Sequence, residues 1–316
     1  MFSKNIFLKT VIFGTLSFVI LTYYNSYTIV EKLKTNAFFI NIDGVNITYK
    51  EFGKENANSG TIVFLHGFSG SSADWEFIVQ HISKEYHCIT IDIPPFGLSE
   101  KSKSFDYSDA NIVKTLISVL DKIGVNKFTL VGHSMGGYLS VLISNKIPER
   151  IEKLILIDSA YNIPGERATV SNPENSPNLS NLEDLSTLLN IGLKTYPLVK
   201  LVYYSSLGES IALRTNHFEK LFSQNFFLPG EVLVKFTVDK SSQTNKPENV
   251  DFSKFTFPVL IIYGENDTVT PPKIGEFLHS VLPNSIFVLI PKEGHMPLFN
   301  EITIKKIEEF LQGVNQ

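Results

Sequence analysis

A chain of 316 residues, 43% hydrophobic and 19% charged, can bury a sizeable core, which sets aside the disordered and fibrous classes. A formal charge of -4 without a basic run argues against nucleic acid as a partner. The single cysteine, Cys88, excludes an intrachain disulfide, and no Cys/His group has metal-ligand spacing.

Residues 1–34 stand apart. Lys4 and Lys9 precede the uncharged, mostly apolar run Thr10–Tyr24, which ends in Tyr23 and Tyr24. As a helix that run spans roughly 22 Å, short of the ~30 Å hydrocarbon core of a bilayer. Its length suits a signal peptide, yet no Ala-x-Ala-like cleavage site follows Tyr24. A snorkelling Lys9 and interfacial tyrosines would let residues 6–24 act as an uncleaved membrane anchor instead. A cleaved signal and a helix of a soluble protein stay open as alternatives. The basic amino end favours a cytoplasmic N-terminus and an extracytoplasmic catalytic domain, with secretion after cleavage as the other outcome.

From Ala37 the pattern changes to period two. Phe38, Ile40 and Ile42 alternate with other residues, and Gly44 turns the chain into Val45–Phe52, which predicts a hairpin. Thr61–Leu65 is a continuous apolar run, as a strand covered on both faces must be, and His66-Gly67-Phe68 follows it. A short helix is expected around 75–83. Then comes a buried strand, His87–Ile91, in which Cys88 reads as a packed core thiol. Asp92 to Ser99 forms the next loop. Apolar residues at 112, 113, 116, 117, 119, 120 and 123 predict a helix over 108–123. Phe128–Val131 is another buried strand, and a helix-period segment covers Tyr138–Asn145. Lys153–Ile157 is a strand ending at Asp158. This alternation implies a mostly parallel sheet with helices on both faces, in a domain of residues 35–316.

The rhythm breaks over 160–250. A Pro/Asn/Ser-rich loop at 171–180 is followed by stretches rich in large apolar residues, Leu193 to Tyr204 and Phe218 to Phe227, which read as an inserted helical cap. The sheet pattern returns at Val259–Tyr263, followed by a helix at 273–281, a strand at 286–290 and a closing helix at 301–311.

The chemistry concentrates where strands end. Gly132-His133-Ser134-Met135-Gly136 sits between the strand at 128 and its helix. A serine there projects from the sheet top only if the chain turns sharply, and Gly132 and Gly136 leave room for strand and helix to approach. A serine hydroxyl is a poor nucleophile until a base within hydrogen-bond reach takes its proton. Histidine suits that task near neutral pH, and a carboxylate fixes its tautomer. Asp267 and His295 each lie just past a predicted strand, where active sites of open parallel sheets collect.

With His66-Gly67-Phe68, Asp92–Ser99, the Gly132–Gly137 turn, Gly264–Asp267 and Gly294-His295 in this order, residues 37–312 resemble the alpha/beta-hydrolase superfamily. The amino-terminal segment and His-Gly-Phe are similar to the membrane-associated monoacylglycerol lipase branch. The resemblance implies Ser134 as nucleophile, His295 as base and then acid, Asp267 as the orienting acid, and the N–H groups of Phe68 and Met135 as the oxyanion hole. It also implies supporting roles for His66 and Gly67, and for Gly132 and Gly136 of the turn. Some relatives carry the acid at the end of the earlier strand, which makes Asp158 the alternative. The second loop usually has Gly where this chain has Pro95. No cofactor or metal is implied, and the oligomeric state is not legible.

The remaining candidates read as structural. His133 is expected to pack or to stabilise a loop, His66 to bond locally, and Asp92 to brace backbone N–H groups. His81, His87, His217 and His279 have no motif context and are expected at the surface or in structural roles. The activity expected is hydrolysis of carboxylic esters of apolar acyl chains, on a small-molecule or lipid substrate. Carbon–carbon bond hydrolases of aromatic ring-cleavage products share Gly-x-Ser-Met-Gly-Gly, but typically have Asn before the serine and Trp after the histidine, against His133 and Met296 here. A non-catalytic binding protein on the same fold is the third reading.

Overall fold

In the computed structural model, residues 2–164, 182–205, 215–241 and 249–313 are described, with side chains withheld at 2–16 and at a few segment ends. The loop expected at 171–180 lies outside them. The described strands build one eight-stranded sheet in the order β1-β2-β4-β3-β5-β6-β7-β8. These are β1 (Phe38–Ile42), β2 (Val45–Phe52), β3 (Thr61–Leu65), β4 (His87–Asp92), β5 (Phe128–His133), β6 (Ile151–Ile157), β7 (Val259–Gly264) and β8 (Ser285–Ile290). The hairpin β1–β2 and the pair β2–β4 are antiparallel, and every other pair is parallel.

Continuous apolar runs become central strands because the sheet is covered on both sides. Val63 and Leu65 face one core with Leu130, Leu154 and Ile261, and Ile62 and Phe64 face the other with Val131, Ile155 and Ile262. The first core is closed by α3 (Asp109–Lys122), α4 (Met135–Lys146) and α9 (Lys273–Val281). The second is closed by α2 (Glu76–Ile82) and α10 (Glu301–Leu311). Cys88 is fully buried, and burial pushes its thiol up to about 12, as suits a packed and inert side chain. Beside β7, β8 is the edge strand and is only partly buried.

Two helices depart from expectation. The predicted helix Tyr138–Asn145 begins earlier, at Met135, directly after Ser134. Gly136 and Gly137 hide its periodicity, yet a side chain at Gly136 would strike the Leu65 carbonyl. The amino-terminal helix α1 runs from Phe2 to Lys34, well past the apolar run, because Asn25–Lys34 continues the helix along the domain and buries Ser26 and Leu33. Among the residues whose side chains are described, no helix is long and apolar enough to cross a membrane.

Between β6 and β7 the chain makes a helical insert: α5 (Leu182–Lys194), α6 (Tyr196–Ser205), α7 (Thr215–Phe226) and α8 (Gly230–Ser241). α1 lies along α7, with Tyr23 edge-on to Phe226 and Phe227. In sheet order the chain steps from β3 to β4 on one side and to β5 on the other. In open parallel sheets the crevice that takes a ligand lies at such a switch point, here between the carboxyl ends of β3 and β5.

Candidate active site

Ser134 sits at the head of that crevice with φ 52 and ψ -118, a conformation a non-glycine residue adopts only under constraint. The constraint is visible in its bonds. Ser134 N–H donates to Ile157 O at 3.0 Å, and its carbonyl accepts from Tyr138 N at 3.1 Å and Ala160 N at 2.9 Å. β6 and α4 thus hold the turn from both sides.

His295 reaches the serine from the loop after β8. Its Nε2 lies 3.0 Å from Ser134 Oγ, and its Nδ1 lies 2.7 Å from Asp267 Oδ2. With a carboxylate on Nδ1, that nitrogen carries the proton and Nε2 is left to accept from the hydroxyl. Asp267 follows β7. Burial alone would raise its carboxyl, but the bond and charge of His295, with the hydroxyl and N–H of Thr270, hold it below the usual carboxylate range. The chain of three is therefore poised to move one proton from oxygen to nitrogen.

Asp158, the alternative acid, is placed otherwise. It is fully buried with φ 43, and Oδ1 accepts from Gly264 N at 2.8 Å. Burial, and then the negative charge of Asp267, push its carboxyl well above the usual range and so favour its neutral form. A neutral acid cannot stabilise an imidazolium by charge, and His295 bonds to Asp267 instead.

The loop after β3 lies against the serine. A side chain at Gly67 would come within 3.1 Å of Ser134 Cβ and 2.9 Å of His133 Nδ1, so only glycine allows this approach. His66 accepts from Ile93 N–H at Nε2 (2.8 Å), which leaves Nδ1–H to donate to Gly67 O at 2.7 Å. These two bonds tie the loop after β3 to the loop after β4. Asp92 accepts from Ser72 N, Ser72 Oγ and Leu98 N, and so braces two loops at once. His133 Nε2–H donates to the His295 carbonyl at 2.8 Å. Burial first, and then the neighbouring His295, pull His133 down to about 4, so it is a neutral strut beneath the histidine loop.

Among the described residues, His133, Asp158 and His295 place potential ligand atoms within 4.8 Å of one another. Both ring nitrogens of His295 already bond to Ser134 and Asp267, an arrangement suited to proton transfer rather than to holding a cation.

The main omission of sequence reasoning is His217. Of the two places expected for it, surface or structural, it takes the second, with partners that were not foreseen: it is 5% exposed, bonded to Asp74 and to the Tyr203 hydroxyl. Its carboxylate partner lies 143 residues away, so no local pattern could announce the pair.

A sharp strand–turn–helix carrying a buried serine, a histidine on its hydroxyl and an acid on the histidine, set on a mostly parallel sheet with a helical insert, define a hydrolase of the alpha/beta type. A family model described as alpha/beta hydrolase fold matches residues 60–302, and the chain belongs to that family. It is 29% identical to the uncharacterised hydrolase YugF of Bacillus subtilis over 81% of this chain and 89% of that protein. It is 26% identical to Lipase 3 of a Moraxella species over 86% of this chain and 83% of that one. Among solved structures, a bacterial membrane phospholipase A superimposes with a TM-score of 0.70 at 22% identity, covering 98% of this chain and 99% of the other. That last likeness is one of fold.

Proposed function

We propose that this protein is a serine hydrolase that cleaves carboxylic esters of apolar acyl chains through an acyl-enzyme, as an esterase or monoacylglycerol lipase does. The observation that carries the reading is the relay Ser134 Oγ, His295 Nε2, His295 Nδ1, Asp267 Oδ2, with links of 3.0 and 2.7 Å. Ser134 Oγ attacks the ester carbonyl as His295 Nε2 takes its proton, and Asp267 stabilises the imidazolium that forms. The carbonyl oxygen becomes an oxyanion, held by the N–H groups of Phe68 and Met135, each worth about 3 kcal/mol in the transition state. His295 returns the proton to the leaving alcohol. Water then repeats the sequence on the acyl-enzyme and frees the acid.

Two features support an apolar acyl chain. Phe68 is 54% exposed beside the serine, and its ring packs on Phe96 and on Phe236 of α8. The insert therefore supplies an aromatic wall to the crevice. A further support is the name of the Moraxella relative, a lipase.

Association with a membrane belongs to the same proposal. Phe18, Val19, Ile20 and Leu21 are all exposed though consecutive, so this part of α1 shows apolar side chains in every direction. Val19 shares a groove with Thr187 and Ile191 of α5, and nearby Leu188, Leu198, Leu201 and Val202 of the insert are exposed as well. A patch of this kind calls for an apolar partner, and a lipid surface is the one that also holds the substrate. Lys4 and Lys9 at the amino end favour an extracytoplasmic catalytic domain.

The test is a series of nitrophenyl esters and monoacylglycerols of rising acyl length. Each added CH₂ should raise kcat/KM nearly fourfold, about 0.8 kcal/mol, until the crevice is full. Turnover of a conjugated dienoic ketone with no ester hydrolysis at any length would replace this reading with the carbon–carbon hydrolase.

A further inference from the structure

The loop that carries Phe68 is gripped from the insert at two points. Asn225, on α7, donates from Nδ2 to Ser69 O at 2.8 Å and to Leu221 O at 3.0 Å, so both amide hydrogens are committed and the side chain is fixed. Ser69 is the residue after Phe68, and its φ of 60 is one that a serine holds only when its neighbours impose it. One turn of loop further on, His217 Nε2–H donates to Asp74 Oδ1 at 2.7 Å, and the Tyr203 hydroxyl meets Nδ1 at 2.7 Å. Asp74 in turn accepts from Ser71 N at 3.3 Å and closes the capping box that ends the loop. His217 and Asp74 are 5% and 2% exposed, so the pair is dry. Burial alone would raise the Asp74 carboxyl, but the His217 bond and charge hold it below its ordinary value, which keeps it an acceptor for the loop.

We infer that Asn225 and His217 are positioning residues of the hydrolase: from α7 they set the loop Gly67–Ser71 so that the Phe68 N–H faces Ser134. The inference rests on reading Phe68 as an oxyanion donor. On this account the insert is part of the transition-state machinery, and its attachment at Ser69 and Asp74 decides whether the hole is assembled. Because Asn225 bonds a backbone carbonyl rather than substrate, its removal acts on the oxyanion, and a short-chain nitrophenyl ester, which gains little from the Phe68 ring, reads that loss apart from acyl-chain binding.

The experiment uses the full chain, a short-chain nitrophenyl ester, and an acyl trifluoromethyl ketone whose adduct with the serine carries an oxyanion. Asn225→Ala should lower kcat by about 10- to 100-fold with KM within about twofold, and should weaken the ketone by the same factor, since a misplaced donor loses part of what an absent one loses. His217→Gln keeps an N–H for Asp74 and should stay within about threefold of the parent, whereas His217→Leu should fall with Asn225→Ala. Lys220, on the same helix, pairs with Glu76, the first residue of α2 and outside the loop Gly67–Ser71. Lys220→Met should leave kcat and ketone affinity unchanged. Should Asn225→Ala fail to fold, Asn225→Ser and the His217 pair carry the same comparison. Unchanged kcat and ketone affinity in Asn225→Ala and His217→Leu would overturn the inference, and so would an equal loss in Lys220→Met. Ser134→Ala, assayed alongside, separates the two levels. If it is inactive while Asn225→Ala is fully active, only the positioning role is lost. If it remains active, the reading of the site itself fails.

Discussion

Ser134 Oγ and His295 Nε2 lie 3.0 Å apart although 161 residues separate them in the chain. The carboxyl ends of two parallel strands make the meeting, β5 inside the sheet and β8 at its edge. Residues joined this way act as a unit. Ser134→Ala and His295→Ala should each lower kcat by about 10⁵- to 10⁶-fold, and the double variant should be hardly worse than either. Steady-state rates of the three proteins check this, and multiplicative losses would contradict it.

The acid at the end of the relay is tested by two isosteric changes. Asp267→Asn should lower kcat by about 10⁴-fold, because an amide presents the wrong group to His295 Nδ1. Asp158→Asn should stay within about tenfold, because His295 bonds to Asp267 rather than to Asp158, and burial and Asp267 favour the neutral Asp158 that an amide resembles. The opposite ranking would transfer the acid role to Asp158.

How far the sequence announced this arrangement depends on distance along the chain. Lys273–Val281 and Glu301–Leu311 were legible to the residue, since amphipathic period and flanking turns agree there. Asp92 and His66 were legible in kind, because their partners Ser72, Leu98, Gly67 and Ile93 lie in the loops they close. The start of α4 was hidden by Gly136 and Gly137, which are dictated by contacts with the end of β3 and with Ser159 past β6 and carry no helix signal. The far end of α1 was hidden because Asn25–Lys34 is polar, and its helix is held by tertiary contact. His217 was illegible, since a buried pair between an insert and the loop of an earlier strand has no local pattern.

His133 makes a prediction about acid. Its folded value is drawn down to about 4 by burial and by His295, whereas in the unfolded chain it titrates near 6.5. The unfolded state therefore binds the extra proton first as pH falls, and stability drops through the window between those values. Between pH 7 and 5 this one group should remove about 2 kcal/mol. Urea unfolding at both pH values measures it. His133→Gln, whose amide nitrogen reaches the place of Nε2 and can still donate toward the His295 carbonyl, should lose about that much less on acidification than the parent.

The amino-terminal helix divides into two parts with different expected effects. Removing residues 2–22, which takes away exposed Phe18–Leu21, should weaken binding to phospholipid vesicles while leaving hydrolysis of a soluble ester within about twofold, because Tyr23, Ser26 and Leu33 keep their contacts with the domain. Removing residues 2–30 also strips Tyr23 from Phe226 and Phe227 and should lower the melting temperature by several degrees, roughly 3 to 6 °C for 1 to 2 kcal/mol. Vesicle flotation and thermal unfolding of the two deletions check both statements.

The central claim is that Ser134 becomes a covalent acyl carrier. Intact-mass and peptide analysis after treatment with an alkyl fluorophosphonate measures this directly. One phosphonyl group should appear, on Ser134, with loss of ester hydrolysis in proportion, and Ser134→Ala should neither label nor hydrolyse. A chain that hydrolyses long-chain esters while Ser134 stays unlabelled, or that keeps its activity as Ser134→Ala, would contradict the account.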